Sequence, residues 1–166
     1  MWVWLLWALL GLVLLALTSA LTIVLVMRYK SPRGLAMVRR FNRRFTNRRA
    51  MRHAGEAGSG YAVIRHVGRR SGKQYSTPVG ASPAGGGFLV FLPYGADADW
   101  VRNIRAAGSA ELVTHGRTHR VAPRVVDQAE ALPHLSGGDR LVARLFRVTD
   151  YLVLEPSVVP GGLPPS

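Results

Sequence analysis

The chain reads as an α+β protein: a small, mainly β, six-stranded antiparallel barrel with one or two helices, preceded by a single membrane-spanning helix. Three observations lead there. The N-terminal stretch is apolar and uncharged. From Tyr61 onward the pattern changes to short runs of β-forming residues separated by glycine-rich turns. Finally, six short strands in roughly 110 residues would leave costly open edges unless the sheet closes on itself.

The span comes first. From Trp2 through Met27 there is no charged residue, only Leu, Val, Ala, Ile and Trp with Gly11, Thr18, Ser19 and Thr22 before the closing Met. A hydrocarbon core of roughly 30 Å needs about 20 apolar residues rising about 1.5 Å each, so the run suffices with some tilt. Trp2, Trp4 and Trp7 at one end and Tyr29 at the other suit the headgroup layers. A cleaved signal peptide would want a basic start, a shorter apolar core and a small-residue cleavage site. This chain has no basic residue before Trp2, and its apolar run continues past Ala20.

Charge sets the orientation. The net charge is +13, from 22 Lys and Arg against 9 Asp and Glu. Arg28, Lys30, Arg33, Arg39, Arg40, Arg43, Arg44, Arg48, Arg49 and Arg52 follow the span, with no acid among residues 28–52. Positive flanks stay in the cytoplasm, which predicts a single-pass cell-membrane protein with its C-terminal domain inside. The excess of cations belongs to this juxtamembrane segment, so it points to anionic membrane lipids and away from nucleic acid. There are no cysteines, which excludes disulfides and thiolate sites.

Four segments are expected: an anchor over 1–27, a basic juxtamembrane amphipathic helix over 28–52, a barrel domain over 53–155 and a disordered tail over 156–166. In the second, Leu35, Val38, Phe41 and Phe45 recur at helical spacing within Gly34–Met51. That stripe suits either the membrane interface or packing on the barrel. In the third, Tyr61–Val67, Gln74–Ala81 and Phe88–Pro93 predict an antiparallel meander, with Ser82–Gly87 as a loop. Asp97 is expected to cap a helix that stops at Gly108, with Trp100, Ile104 and Ala107 on one face. Residues 110–114 and 118–126 predict a hairpin. Residues 139–147 predict a helix with Leu141, Leu145 and Val148 on its apolar side, and Tyr151–Leu154 predicts the last strand.

Two segments can carry chemistry. Gly68-Arg69-Arg70-Ser71-Gly72-Lys73 offers three cations, a hydroxyl and flexible glycines at a hairpin, a pattern that suits an anion and equally suits a solvated basic turn. Its spacing is not that of a nucleotide-binding P-loop. In Leu92-Pro93-Tyr94-Gly95-Ala96-Asp97-Ala98-Asp99-Trp100 a strand gives way to a glycine-containing turn and a helix start beside Tyr and Trp. That suits a planar anionic cofactor, or an ordinary helix whose Trp is core. The five histidines have no metal-ligand spacing, and no nucleophile elbow or Ser/His/Asp arrangement occurs, so no metal and no side-chain catalyst is assigned. An enzyme built this way needs a cofactor to carry its reaction.

Those segments, with Thr77-Pro78-Val79, Val101-Arg102-Asn103, Ala106-Ala107-Gly108, Gly116-Arg117 and the closing Tyr151–Glu155 strand, occur in an order and spacing that resembles the nitroreductase-family deazaflavin-dependent oxidoreductases. The resemblance runs from about Leu35 to Glu155 and implies a split β-barrel. It implies reduced coenzyme F-420, a deazaflavin, as hydride donor, with its phosphate and oligoglutamate tail at Arg69, Arg70, Ser71, Gly72 and Lys73. The ring would lie near Pro78, Leu92, Tyr94 and Gly95, with Trp100 and Asn103 shaping the pocket. A quinone, nitro compound or other conjugated molecule would be the acceptor. The anchor favours a lipid-soluble quinone, and a homodimer is a compatible assembly.

Two departures bear on this. Related nitroreductases have Pro before the helix Trp where this chain has Asp99, and they line the acceptor site with a longer, Tyr-containing C-terminal helical region. Here Leu132–Val148 holds no Tyr. The alternatives are a non-catalytic lipid- or fatty-acid-binding barrel, or a relative that uses FMN or haem.

Overall fold

The computed structural model describes residues 2–157. The chain opens with a 28-residue helix, α1 (Trp2–Tyr29), whose apolar side chains stay exposed until its last turn, where Met27 is buried. Among the described residues it is the one helix long and apolar enough to cross a membrane. Lys30, in a left-handed conformation, turns the chain, and Ser31 caps α2 (Pro32–Phe41) with Pro32 at its first position. Gly34 lets α2 cross α1 closely: a Cβ there would meet the Val26 side chain at 2.7 Å.

The single amphipathic helix expected over Gly34–Met51 is interrupted. After Phe41 the backbone widens into a π-helical turn, Asn42–Thr46, before a short α3 (Asn47–Ala50). The wide turn rotates the apolar stripe off one face. Leu35 is buried, while Phe41 and Phe45 are exposed and pack on each other with centroids 5.0 Å apart.

Seven strands follow, not the six expected: β1 (Ala62–Val67), β2 (Gln74–Val79), β3 (Ala81–Ala84), β4 (Gly87–Phe91), β5 (Ala110–Thr114), β6 (Arg117–Val126) and β7 (Tyr151–Pro156). The extra one arises because the predicted strand Gln74–Ala81 breaks at Gly80, and the segment read as a loop continues as β3, with only Gly85 and Gly86 turning. All neighbours are antiparallel, in the order β2-β1-β5-β6-β7-β4-β3. Thus β2 and β3 are opposite edges of the sheet, yet one residue joins them. Two Cα atoms separated by one residue lie at most about 7 Å apart. The sheet must therefore curl until its edges meet, giving an antiparallel split barrel.

The curl encloses the larger core. Ile64, Leu112, Val121, Leu152 and Leu154 point inward, and α4 (Asp99–Ala107) plugs it with Val101 and Ile104. Burying each such side chain fully contributes about 1.5–3 kcal/mol. Of the expected face, Ile104 is buried and Trp100 packs against this core while Ala107 is exposed, and Val101 completes the buried side of α4. Asp97 does not cap α4. Ala98 is the capping residue, and the Asp97 carboxylate instead accepts from Arg102 at 2.8 Å. Gly108 ends the helix in the left-handed conformation as expected.

A second core forms on the outer face of β4, β6 and β7, covered by α5 (Gln128–Ala131), a 3-10 turn (Leu132–His134) and α6 (Gly137–Phe146). Strand alternation explains the unbroken apolar run of β4: Val90 faces the barrel interior while Leu89 and Phe91 face this second layer. The face that α6 buries is not the predicted one. Ala143 and Phe146 pack inward with Val148, whereas Leu141 and Leu145 point out, 67% and 42% exposed. The expected tail lies outside the described residues from residue 158 onward, and β7 runs on to Pro156, past the predicted Leu154.

Glycine at position 87 is demanded by contact: a Cβ there would meet the Leu154 carbonyl oxygen at 2.4 Å, while one at Gly80 meets nothing within 4 Å. Thermal unfolding of the detergent-solubilised full chain should therefore show Gly87→Ala destabilised by about 1–3 kcal/mol. Gly80→Ala should stay within about 1 kcal/mol of the parent. Equal melting of the two variants would contradict the β4–β7 register.

Candidate active site

The β1–β2 hairpin ends in the basic turn. Gly68 N–H donates to the Lys73 carbonyl at 2.8 Å and Gly72 N–H to the Gly68 carbonyl at 2.9 Å, with Gly72 at positive φ. A side chain at Gly68 would strike Ser71 Oγ and the Tyr75 ring, so the close turn needs glycine there. A cleft of about 350 Å³ opens between this turn and α4, lined by Gly68, Arg69, Gly72, Asn103, Ala106 and Ala107.

Arg69 does not reach into solvent. Its Nη1 donates to Asn103 Oδ1 at 2.8 Å and its Nη2 to Asp99 Oδ1 at 3.1 Å, and its backbone N–H also donates to Asn103 Oδ1 at 3.2 Å. Arg69 thus ties the turn to α4. Arg70 and Lys73 are exposed, and Ser71 Oγ lies 3.2 Å from the Tyr75 hydroxyl.

Behind Asn103 stands a residue the sequence reading passed over. His66 is buried on β1, its Nδ1 3.2 Å from Asn103 Nδ2 and its Nε2 3.2 Å from Thr77 Oγ1. Asn103 Oδ1 is committed to Arg69, so its NH2 must donate to His66 Nδ1. The imidazole therefore carries its proton on Nε2 and donates to Thr77. Burial lowers the His66 pKa, which favours this neutral form. The signal was present as alternation: Ala62, Ile64 and His66 share the inward face of β1.

Strand register fixes where the other expected residues stand. Val67 pairs with Gln74 at the turn end of the hairpin, and Ala62 pairs with Val79 at the bend end. Pro78, opposite Val63, is therefore beside the bend. Ala81 pairs with Val90, so β4 also finishes at the bend, and Leu92 to Gly95 emerge there. The six residues of β2 separate bend from turn by about 20 Å. Pro78 and the Tyr94–Gly95 segment thus occupy one end of this edge, Arg69 to Lys73 the other, and Asp99, Trp100 and Asn103 belong to the helix between. Leu92 is buried in the larger core and Trp100 is half-buried against it. Gly95, at positive φ, closes the loop by donating to the Leu92 carbonyl.

The loop at the bend is fastened from outside the barrel. Lys30 Nζ donates to the Pro93 carbonyl at 3.2 Å, Arg39 Nη2 to the Tyr94 carbonyl at 2.9 Å, and Asn42 Nδ2 to the Tyr94 hydroxyl. Burial raises the Tyr94 pKa, keeping the phenol protonated. It lowers that of Lys30. None of these three partners was singled out for this role in the sequence.

Residues 37–143, well over half of the chain, match the family described as F-420H(2)-dependent quinone reductase. The chain belongs to that family. It is an oxidoreductase, and coenzyme F-420 is its cofactor. No curated protein matches the sequence. Among solved structures, an F-420-H2 dependent reductase (FDR-A) is similar at 14% identity over 58% of this chain and 94% of that one, with a TM-score of 0.44. A domain-swapped dimer is similar at 15% identity over 75% and 100%, TM-score 0.49. HutZ, a haem storage protein of Vibrio cholerae, is similar at 10% over 60% and 83%, TM-score 0.46. These likenesses are too slight to add to the family match.

The residues present fit a deazaflavin coenzyme in two respects. Arg70 and Lys73 are exposed cations at one end of the edge, suited by charge to an anionic tail. At the other end the Tyr94 ring, held by Asn42 beside the bend with Pro78 and Gly95, offers a flat partly exposed surface suited to a planar group.

Asn103→Leu removes the acceptor for Arg69 and the donor to His66 together. Coenzyme titration should show affinity lowered roughly tenfold, the cost of about one hydrogen bond to a charged group. The pH dependence has a definite sign. The unfolded His66 takes its proton near pH 6.5, the folded one only at lower pH, so the unfolded chain binds more protons in between. Stability supplied by neutral His66 is full above about pH 6.5 and declines as pH falls towards the lower folded value. The melting temperature of His66→Phe should fall less steeply over that acidic range than the parent's. Parallel slopes would remove His66 from the account.

Proposed function

We propose that this family member is a membrane-anchored reductase that passes a hydride from reduced coenzyme F-420 to a lipid-soluble quinone, with the barrel on the cytoplasmic side. The observation that carries the reading is the fastening of the Pro93–Tyr94 loop by Lys30, Arg39 and Asn42, directly after the apolar helix α1. It ties the expected ring end of the coenzyme site to the end of the span, where a quinone dissolved in the bilayer would arrive. Tethering catalyst and acceptor to one phase raises their effective concentration without new contacts. The family's own description as quinone reductases supports the same acceptor.

Reduced coenzyme F-420 supplies the hydride when bound. The protein's share is to bind, aim and exclude. Arg70, Lys73 and the Ser71 hydroxyl would hold the tail by charge-assisted hydrogen bonds, with Gly72 shaping the turn and Arg69 and Asn103 keeping it in place. Pro78, Tyr94, Gly95 and the flank of Trp100 would border the ring, with the Leu92 side chain supporting the loop from the core. The Tyr94 phenol, protonated and fixed by Asn42, would be placed to donate to a carbonyl at the bend.

Replacing Arg70 or Lys73 singly by Ala should raise the coenzyme dissociation constant roughly tenfold to a hundredfold without lowering the melting temperature. Coenzyme stripped of phosphate and glutamates should bind weakly to the parent and be nearly indifferent to the same changes. Tyr94→Ala should instead lower quinone turnover with little change in tail affinity. Unchanged affinity in Arg70→Ala and Lys73→Ala would move the tail elsewhere. On intact cells, protease should leave the barrel uncut, because the ten cations of residues 28–52 hold that flank inside. Cleavage from outside would reverse the orientation.

A further inference from the structure

We infer that α6 is a second membrane contact: its outward face lies in the lipid headgroup layer, beside the point where α1 leaves the bilayer, and docks the barrel flat on anionic lipid. The inference rests on the membrane-anchor reading of α1 and goes beyond it.

α6 is apolar over a wider arc than a surface helix needs, and only part of that arc meets the core. The inner face, Ala143 and Phe146, belongs to the second core. The outer face carries Leu141, Val142 and Leu145, with exposures of 67%, 36% and 42%. Positions 141 and 145 are one turn apart with 142 beside them, so the three form a continuous stripe. A lone exposed leucine means little, but a stripe along one helix marks a contact surface.

What covers it follows from its neighbours. Arg28, at the end of α1, donates through Nη1 to the carbonyls of Arg144 and Leu145, each at 3.4 Å. These contacts supply partners for the open carbonyl end of α6 and hold it against the last turn of the apolar helix. If α1 spans the bilayer, its last turn is at the headgroup level, and α6 is pinned to that level with it. The charges agree. Arg140 and Arg144 border the stripe along one side with Arg147 at the helix end, Asp139 is the one acid on the helix, and Asp139 accepts from Ser136 at the end away from Arg28. Apolar side chains beside arginines, whose long stems let the charge reach up to phosphate, are the composition of a helix lying in an anionic interface. A second copy of this chain is the rival occupant. Three arginines facing three arginines across a twofold axis would repel, whereas anionic lipid neutralises them.

The chain has no cysteine, so single labels can be placed in the full-length protein. Leu141→Cys and Leu145→Cys, each carrying a nitroxide, would be reconstituted in vesicles of phosphatidylcholine with phosphatidylglycerol. Leu14→Cys, in the middle of α1, serves as the lipid reference, and Ser82→Cys, exposed on β3, as the water reference. Power saturation with oxygen, which partitions into lipid, and with a water-soluble nickel chelate reads the depth of each label. The expected result is a ratio of oxygen to nickel accessibility severalfold higher at 141 and 145 than at 82, approaching that at 14. A water-like ratio at 141 and 145 with a lipid-like ratio at 14 would overturn the docking and leave the anchor standing. A water-like ratio at 14 would overturn the anchor and the docking with it. Spin–spin broadening between labels at 141 in place of lipid exposure would assign the face to a second copy and overturn the proposal.

Discussion

The barrel depends on one constraint: β2 and β3, the two edges of a seven-stranded sheet, are joined by Gly80 alone. A flat sheet of that width would hold its edges about 28 Å apart at a strand spacing of about 4.7 Å. One residue cannot bridge that gap, so the sheet must curl, and the curl creates an interior for Ile64, Leu112, Val121, Leu152 and Leu154 to fill. The same bend organises the site. Because β1 and β4 both pair with strands that meet there, the loop after β4 emerges at the bend, while the hairpin turn of β1 and β2 stands a full strand length away. The proposed placement of the coenzyme, planar head at the bend and anionic tail at the turn, uses this difference between the two ends of the edge.

The basic segment that follows α1 is coupled to that edge by hydrogen bonds rather than by a large apolar contact. Leu35 is buried, but Phe41 and Phe45 remain exposed, and the loop at Tyr94 is held by Arg39, Asn42 and Lys30. Each such bond contributes on the order of 1 kcal/mol net. A coupling of that size can hold a loop in place and still let it open, and site loops are drawn from such weakly held segments. The π-helical turn at Asn42–Thr46 begins at the residue that binds the Tyr94 hydroxyl. An unbroken α-helix would place the residues after Asn42 differently around the axis.

Much of this was legible in the sequence because it depends on local rules. The long apolar helix, the basic stretch after it, the glycine turns and the stop at Gly108 each follow from residue chemistry within a few positions. The seventh strand was hidden because Ser82-Pro83-Ala84 has the composition of a loop, and only pairing with Phe88 and Leu89 makes it a strand. The outward turn of Leu141 and Leu145 was hidden for a different reason. Hydrophobic periodicity finds apolar faces, but it cannot say which of two faces meets the core. The site divides the same way. Gly68 to Lys73 and Tyr94 announce themselves by composition, whereas His66, Lys30 and Asn42 act on partners 37, 63 and 52 positions away, a separation no local pattern spans.

Asp99 stands where the resemblance leads one to expect Pro, and its place in the structure suits an acid as well. Asp99 is the first residue of α4, a position where proline is favoured because its missing N–H would have no helical partner anyway. An acidic residue suits the same position for a different reason, since its charge faces the positive end of the helix. The aspartate adds something proline cannot, a 3.1 Å contact from its carboxylate to the Arg69 guanidinium. The Asp99 carboxylate is 82% exposed while the Arg69 side chain is 22% exposed. The pair is therefore worth little as a salt bridge in itself, and its effect is to fix direction. With one arm on Asp99 and another on Asn103, Arg69 becomes part of the frame. Among the described residues Arg70 and Lys73 pair with no acid, so in the proposed reading they are the cations left to meet an anion at this turn.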